Sequence, residues 1–298
     1  MKKLAPFLIL LAGILWGSMG IFVRTLTANG LGTMEIVALR AMVTAGVLAL
    51  FLLIYNRSLF KIRIRDIWCF IGTGIFSIAF FNFCYFKSIT MTSMSVAAIL
   101  LYTAPVIVMV LSFFLFKEQF TRRKVAGVIL TFVGCMFVTG IFGEQTTVTV
   151  GGLFVGLGAG LGYALYSIFS RYALQRGYHS LTITFYTFLL AAVATLFLAD
   201  ITRVGQVVTK SGFMLAFAIA FGLLCTIVPY IVYTIGLRYM ENGRASILAS
   251  VEPVMATVFG AVVFREGLTL SGVIGMILVI LAFVVTAEKN GKENGKKA

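Results

Sequence analysis

The sequence predicts an all-α membrane protein in which ten transmembrane helices form two inverted five-helix repeats. Three observations lead to this fold class. Of 298 residues, 60% are hydrophobic and only 11% are charged, whereas soluble domains are about 25% charged. Ten apolar segments are long enough to cross a bilayer, and the two halves of the chain match each other in sequence.

Each apolar segment is close to the roughly 20 residues that a helix needs to span the hydrocarbon core. The predicted spans are 5–23, 34–54, 67–87, 95–116, 124–141, 152–172, 180–199, 212–235, 244–264 and 269–287. The loops between them are short, so we expect no sizeable domain outside the membrane. The start of the chain resembles a signal peptide, but no small-x-small cleavage site follows Trp16, and this segment has a counterpart later in the chain. It is therefore interpreted as the first span.

The net charge of +14 comes from lysine and arginine residues in loops and tails. Of the 24 such residues, five lie outside if the N-terminus is cytoplasmic, and Arg40 lies within a span, which leaves eighteen in cytoplasmic segments. Four of these eighteen are in the C-terminal tail, at Lys289, Lys292, Lys296 and Lys297. This bias predicts a multi-pass protein of the bacterial inner membrane with both termini cytoplasmic. It is a topology signal, so no nucleic-acid partner is expected.

Several kinds of chemistry are disfavoured by residue content. The four cysteines fall inside apolar spans, where they behave as small packing residues, and a single histidine cannot form a metal cluster. The chain has no Walker A sequence, no His-Glu-x-x-His and no Gly-x-Ser-x-Gly. We therefore predict no cofactor, no metal and no catalytic residues. An intramembrane enzyme is a distant alternative, weakened because Glu252 is the only carboxylate clearly within the spans.

The internal match has an offset of 148 residues, or 147 in the first spans, where Arg24 meets Arg171. It predicts one repeat at 1–147 and a second at 148–298. Pro105 aligns with Pro253, and Phe116-Lys117-Glu118 aligns with Phe264-Arg265-Glu266 without a gap. Because each repeat has five helices, an odd number, the second must be inserted upside down. A receptor or structural protein would not require this arrangement. Inverted repeats with proline-interrupted helices are typical of secondary transporters, whose site lies near the bilayer midplane.

These motifs carry a more specific resemblance. The doubled five-helix unit contains Gly13-x-x-Trp16-Gly17, Arg40, two Pro-x(11)-[Lys/Arg]-Glu units and Glu252-Pro253. Over essentially its whole length the chain resembles the EamA-type branch of the drug/metabolite transporter superfamily. The resemblance implies a ten-helix bundle that moves small organic solutes, such as amino acids, without identifying which. The first repeat has Ala104-Pro105 where the second has Glu-Pro, which argues against a mechanism with two carboxylates.

Two ionisable residues inside the spans are the first candidate binding residues. Glu252 lies in the middle of the ninth span, where a carboxylate is costly and usually faces a cavity or a partner. The alternative is a structural carboxylate bonded to a neighbouring helix. Arg40 could bind a carboxylate or phosphate with two parallel hydrogen bonds. Its alternatives are snorkelling to the outer interface, or pairing with Glu35.

Polar aromatic and amide side chains within the spans complete the predicted binding site, since buried hydroxyls and amides need partners that a polar solute supplies. The full set is Trp16, Arg40, Asn82, Tyr85, Tyr102, Tyr163, Tyr166, Tyr230, Tyr233 and Glu252. For any single tyrosine, a helix–helix hydrogen bond is the alternative. For the glycines around Trp16, close helix packing is favoured. Pro105, Pro229 and Pro253 are predicted hinges, because proline interrupts the helix around it.

The sequence therefore predicts a secondary transporter that exports small organic solutes by alternating access between its two repeats. Its partners are a small-molecule substrate, the lipid bilayer and, as a candidate coupling ion, protons. A nucleotide-sugar or lipid-headgroup carrier of the same superfamily is the second hypothesis, because Arg40 would suit a phosphate.

Overall fold

A computed structural model describes residues 1–141 and 149–287, and all regular elements in these two ranges are helical. The ten main helices are α1 (Ala5–Ala28), α2 (Thr33–Tyr55), α3 (Ile64–Met91), α4 (Met94–Phe116), α5 (Arg122–Val138), α6 (Val150–Gln175), α7 (Ser180–Thr195), α8 (Gly212–Leu237), α9 (Asn242–Phe264) and α10 (Leu270–Thr286). Seven are long and apolar enough to cross a membrane, and α7 and α10 are shorter apolar helices. The predicted fold class is confirmed. The repeat boundary at 147/148 and the tail lysines lie outside the described residues.

Two predicted spans were too long at their C-terminal ends. α5 ends at Val138 instead of residue 141, and Gly140 follows with a φ of 70°, a left-handed conformation that suits glycine. α7 ends at Thr195 instead of residue 199, and a short amphipathic helix, Ile201–Val208, follows it. The Asp200 carboxylate begins that helix by accepting the backbone N–H of Arg203 at 3.1 Å.

Two of the helix interruptions occupy equivalent positions in the two halves. α4 is broken at Tyr102 and Thr103, and α9 is broken at Ser250. Each break precedes a proline, Pro105 or Pro253, instead of coinciding with it as the sequence suggested. The physical reason is that proline lacks an N–H and its ring crowds the carbonyl of the residue four positions earlier, so the disturbance lies on its N-terminal side.

α3 and α8 share another irregularity, a wide π-helical segment. It spans Gly72–Ala79 in α3 and Leu223–Ile227 in α8, immediately before Pro229. π-Helical turns inside α-helices are frequent at functional sites. The two segments therefore favour a functional site in the middle of the bundle.

The ends of α4 and α9 also have the same geometry. Lys117 and Arg265 adopt left-handed conformations with φ of 56° and 58°. In each case the next residue closes the helix: the N–H of Glu118 bonds to the carbonyl of Ser112 at 3.2 Å, and that of Glu266 to Gly260 at 3.3 Å. The Phe-[Lys/Arg]-Glu motif is therefore a helix-ending device used once in each half.

Glycines bring several helices into close contact, as favoured for the segment around Trp16. A Cβ atom added at Gly13 would lie 2.5 Å from Val251, and one added at Gly17 would lie 2.6 Å from Met255. α1 therefore packs directly on α9. Gly20 is different, because nothing lies within 4 Å of an added Cβ there. Small residues at such contacts are how membrane helices approach one another without a hydrophobic driving force.

Candidate functional site

A cavity lies in the middle of the bundle, between the breaks of α4 and α9, and residues at both breaks line it. Its wall is mainly aromatic, with serine hydroxyls between the rings. The lining residues are Trp16, Ser77, Ile78, Phe81, Tyr102, Ala104, Pro105, Val108, Tyr163, Tyr166, Ser167, Tyr230, Tyr233, Ser246, Ala249 and Ser250.

Trp16 is the centre of the aromatic wall. Its ring lies 5.1 Å from that of Tyr230, 5.4 Å from Tyr233 and 6.5 Å from Tyr163, in edge-on or tilted arrangements. Such arrangements favour contact between aromatic rings. The buried Nε1 atom of Trp16 has no hydrogen-bond partner in the described part of the chain. Since buried donors are normally paired, this N–H is available to a solute in the cavity.

Two tyrosines of the wall make helix–helix hydrogen bonds. Tyr166 bonds to Thr234 at 3.0 Å, and Tyr233 bonds to Ser167 at 2.7 Å, joining α6 to α8. The alternative interpretation, that such hydroxyls hold helices together, is therefore confirmed for these two residues. Their rings still form part of the cavity wall. They shape the site, while their hydroxyls are already occupied.

Glu252 lies two residues after Ser250, which lines the central cavity, and is not itself a lining residue. It is the second residue of the segment Val251–Phe264, after the break at Ser250. The Tyr163 hydroxyl donates a hydrogen bond of 2.8 Å to its Oε2 atom, and the start of a helical segment favours negative charge. Its other carboxylate oxygen has no hydrogen-bond partner among residues 1–141 and 149–287. Glu252 thus combines a structural bond with an available acceptor.

Arg40 lines a second cavity, whose wall also includes Met19, Asn82 and Phe221. The residue is only 4% exposed. One guanidinium nitrogen, Nη1, contacts the sulfur of Met19 at 3.3 Å, and Nη2 has no partner in the part of the chain described.

The structure excludes both structural alternatives for Arg40. Its burial is incompatible with snorkelling, and Glu35 bonds instead to the backbone N–H of Gly32. No carboxylate of the described residues forms an ion pair with it, although Arg40 and Glu252 interact electrostatically at longer range. A buried charge without a partner is strongly unfavourable. Within the described residues the Arg40 guanidinium is thus a buried cation with one nitrogen, Nη2, that has no hydrogen-bond partner.

Of the remaining predicted residues, some line a cavity and others do not. Asn82 lies in the Arg40 cavity, where its side-chain amide also donates to the carbonyl of Ile78 at 2.7 Å. Tyr85 lines neither cavity, and its ring packs between those of Phe81 and Phe86. Pro105 lines the central cavity, while Pro229 and Pro253 are buried beside the helix irregularities. Whether any of the three acts as a hinge stays a prediction.

The serines of the wall were missed from the sequence. Ser246 and Ser250 are four residues apart in an apolar helix, so they share one face, and that spacing could have revealed them. Ser77 in α3 and Ser167 in α6 were not identified from the sequence either. Within the two described ranges, no group of three or more His, Cys, Asp or Glu residues is placed to hold a metal ion.

Comparison with known proteins identifies the family. The sequence model of the EamA-like transporter family matches residues 3–140 and 150–287. The chain belongs to this family. An uncharacterized transporter of Archaeoglobus fulgidus is 31% identical over 217 residues, covering 71% of this chain and 75% of its own length. The uncharacterized transporter YxxF of Bacillus subtilis is 25% identical over 234 residues, covering 77% of this chain and 73% of its own.

The EamA-like fold is also seen in a solved crystal structure. That structure aligns with a TM-score of 0.77 over 96% of this chain and 97% of its own, at 16% sequence identity. At this level of identity the likeness concerns the fold alone. As an EamA-like transporter, the protein is a multi-pass membrane protein that handles a small molecule, and the cavity between its helices is the natural place for that molecule.

Proposed function

We propose that the protein exports small zwitterionic or anionic organic solutes, such as amino acids or related metabolites, by alternating access between its repeats. The observation that carries this proposal is the buried guanidinium of Arg40, which has no carboxylate partner within the described chain and interacts electrostatically with Tyr230 in the wall of the central cavity. A solute carboxylate would satisfy it with charged hydrogen bonds.

The other groups suit the rest of such a solute. The available oxygen of Glu252 can accept from an ammonium group, so Arg40 and Glu252 supply opposite charges for a zwitterion. The rings around Trp16 contact its apolar portion, and the serines between them offer weaker polar contacts. Sites of this kind, mostly apolar with a few well-placed polar groups, are typical for small molecules.

The second hypothesis, a nucleotide-sugar or lipid-headgroup carrier, receives less support from the two cavities. Arg40 is the only cationic residue that lines either of them within residues 1–141 and 149–287. A diphosphate carries more charge than a single carboxylate and would call for several cations. One guanidinium is sufficient for a carboxylate, so the smaller solute is favoured.

We further propose that the face of the bundle at which the N-terminus lies, here called the terminal face, is cytoplasmic. The loop after α4 and the first turn of α5 lie on this face and together carry four basic residues, whereas the repeat counterpart after α9 carries one. Reporters fused after Gln119 and after Gly267 test this orientation. We expect activity of a cytoplasmic reporter at Gln119 and of a periplasmic reporter at Gly267. Signals from the same side at both positions would contradict the inverted arrangement.

Exposure differs between the two ends of the cavity wall. Tyr166, Tyr230 and Tyr233, nearer the terminal face, are buried, whereas Tyr102 and Tyr163 are partly exposed. Access from the opposite face, which is the extracellular side in the proposed orientation, corresponds to an outward-facing conformation. An alternating-access transporter of either direction visits such a conformation.

Substrate class can be tested by thermal unfolding of the purified protein with a panel of metabolites. A ligand that binds the folded state stabilises it by about 2.7 kcal/mol at a hundred times its Kd. We expect free amino acids or small carboxylates to raise the unfolding temperature, and the methyl esters of the same compounds to fail. Stabilisation by nucleotide sugars alone would support the second hypothesis instead.

A further inference from the structure

A cluster of charged groups joins the two repeats at the terminal face, beyond the central cavity. Glu118, in the loop after α4, accepts two backbone N–H groups from the first residues of α9. Its Oε1 atom lies 2.7 Å from the nitrogen of Asn242, and its Oε2 atom lies 3.2 Å from that of Gly243. Unpaired N–H groups at a helix start favour a carboxylate. Glu118 therefore holds α9 to the end of α4.

Two basic residues reinforce this contact. Arg171, near the end of α6, donates from Nε to the side-chain oxygen of Asn242 at 2.7 Å, and from Nη2 to the carbonyl of Met240. Lys124, at the start of α5, is buried, and its ammonium nitrogen lies 2.6 Å from Glu241 and 3.9 Å from Glu118. Glu118 and Arg171 both bind the start of α9. We call these two residues, together with the start of α9, the inner latch.

The repeat offset identifies counterparts at the opposite face. Glu118 corresponds to Glu266 and Arg171 to Arg24, while the start of α9 corresponds to Met94 and Ser95 at the start of α4. These outer counterparts are arranged differently. Glu266 forms an ion pair with Arg24 at 2.6 Å, and their side chains are 49% and 55% exposed. The Glu118 side chain, by contrast, is 11% exposed.

Helix packing shows the same difference. On the terminal-face side of the breaks, Ala104–Phe116 of α4 packs against Asn242–Ala249 of α9. On the other side, Met94–Leu101 and Val251–Phe264 have no comparable packing within the described residues. Two ordinary helix caps would be equally formed at both ends, because the two motifs have the same backbone geometry. The contact between α4 and α9 at the terminal face is closed, and the equivalent contact at the opposite face is open.

We propose that Glu118 and Arg171 are gating residues that hold the cytoplasmic side shut, and that Glu266 and Arg24 are their outer equivalents. This proposal rests on the alternating access proposed above. In the inward-facing conformation the inner latch opens. Glu266 then exchanges its exposed ion pair with Arg24 for the backbone N–H groups at the start of α4. Each conformation has one latch closed, because closing both ends traps the solute and opening both creates a leak.

Distances between spin labels in purified protein test the latch. The four native cysteines are buried and are first replaced by serine or alanine. One label pair, at Gln119 and Arg238, reports on the terminal face, and a second pair, at Thr90 and Gly267, reports on the opposite face. All four positions are exposed. The protein needs no ligand for this measurement, and binding is measured separately by thermal stabilisation.

We expect Glu118→Gln to raise the population with a long inner and a short outer distance by tenfold to a hundredfold, on the order of the effect of losing a charged hydrogen bond. Arg171→Gln should shift it in the same direction. Adding Glu266→Gln to Glu118→Gln should return the outer distance towards its parental value. Asp200→Asn removes another carboxylate that caps a helix on the opposite face, and it should change neither distance.

Parental distances in both Glu118→Gln and Arg171→Gln would overturn the proposal, as would lengthening at both faces together. If Glu118→Gln does not fold, Arg171→Gln provides the same test. A variant that keeps ligand-dependent stabilisation while its distances stay parental refutes the latch alone, and the proposed substrate class stands. Loss of stabilisation with a normal distance shift refutes the substrate site alone.

Discussion

Arg40→Ala is expected to weaken the binding of a carboxylate-bearing solute between about tenfold and a hundredfold. The guanidinium is buried and has no carboxylate partner among residues 1–141 and 149–287, so a solute anion forms charged hydrogen bonds with it that none of these residues replaces. Such bonds contribute about 1.5–3 kcal/mol. Isothermal titration with the amino acid or metabolite that gives the largest thermal stabilisation measures this loss directly.

Arg40→Lys should lie between the parent and Arg40→Ala, because lysine keeps the charge and loses the planar fork that binds two oxygens. Arg203→Ala is the matched control, since Arg203 is an exposed arginine on the same side of the bundle, in the helix Ile201–Val208. It should bind like the parent. If Arg40→Ala also binds as tightly as the parent, the buried guanidinium has a structural role and the proposed substrate class loses its main support.

The ten helices were predictable because membrane insertion depends on local hydrophobicity, which is written directly in the sequence. The breaks were only partly predictable. Pro105 and Pro253 predict that α4 and α9 are interrupted. The breaks lie at Tyr102 and Ser250 because each proline crowds the turn of helix that precedes it. The π-helical segments carried no signal that we could identify beforehand, because they depend on how α3 and α8 pack.

The site was predictable to the extent that it consists of unusual residues in apolar helices. Trp16, Tyr102, Tyr163 and Tyr230 stood out for that reason, and the structure gathers them around one cavity. Tyr85 is equally unusual in the sequence but lies outside both cavities, because the sequence does not specify which face of a helix is directed towards a cavity. The separation of the Arg40 cavity from the central one follows from the three-dimensional packing.

Glu118 is a further case in which the sequence identifies a residue without identifying its partners. Its motif was recognised as a repeat signature, but its partners, Asn242 and Gly243, are more than 120 residues away in the chain. Contacts at such separations are determined by tertiary packing, and a single sequence does not record them. The inverted repeat nevertheless makes the structure informative about a second conformation, because each half displays the arrangement that the other half can adopt.

Glu252→Gln is expected to weaken the binding of a zwitterionic solute about tenfold or more and to leave binding of a simple carboxylate nearly unchanged. Glutamine keeps an oxygen that can accept from Tyr163, whose hydroxyl lies 2.8 Å from Glu252, so the local helix contact survives. What is lost is the negative charge that faces the ammonium group. Titration with matched pairs of solutes, an amino acid and its deaminated analogue, separates the two effects. Asp200→Asn is the control, because Asp200 lines neither cavity and its carboxylate caps the separate helix Ile201–Val208.

The same variant tests energetic coupling in proteoliposomes. We expect the parent to follow the solute gradient without accumulating it, because one carboxylate without a histidine relay is limited equipment for a proton path. Counterflow should then persist in Glu252→Gln at saturating solute, and an imposed proton gradient should change neither protein. Accumulation driven by the proton gradient in the parent would contradict this expectation. If Glu252→Gln then kept counterflow and lost only accumulation, Glu252 would be the coupling site. If it kept both, the proton path would have to use another group, and Glu252 would serve solute recognition alone.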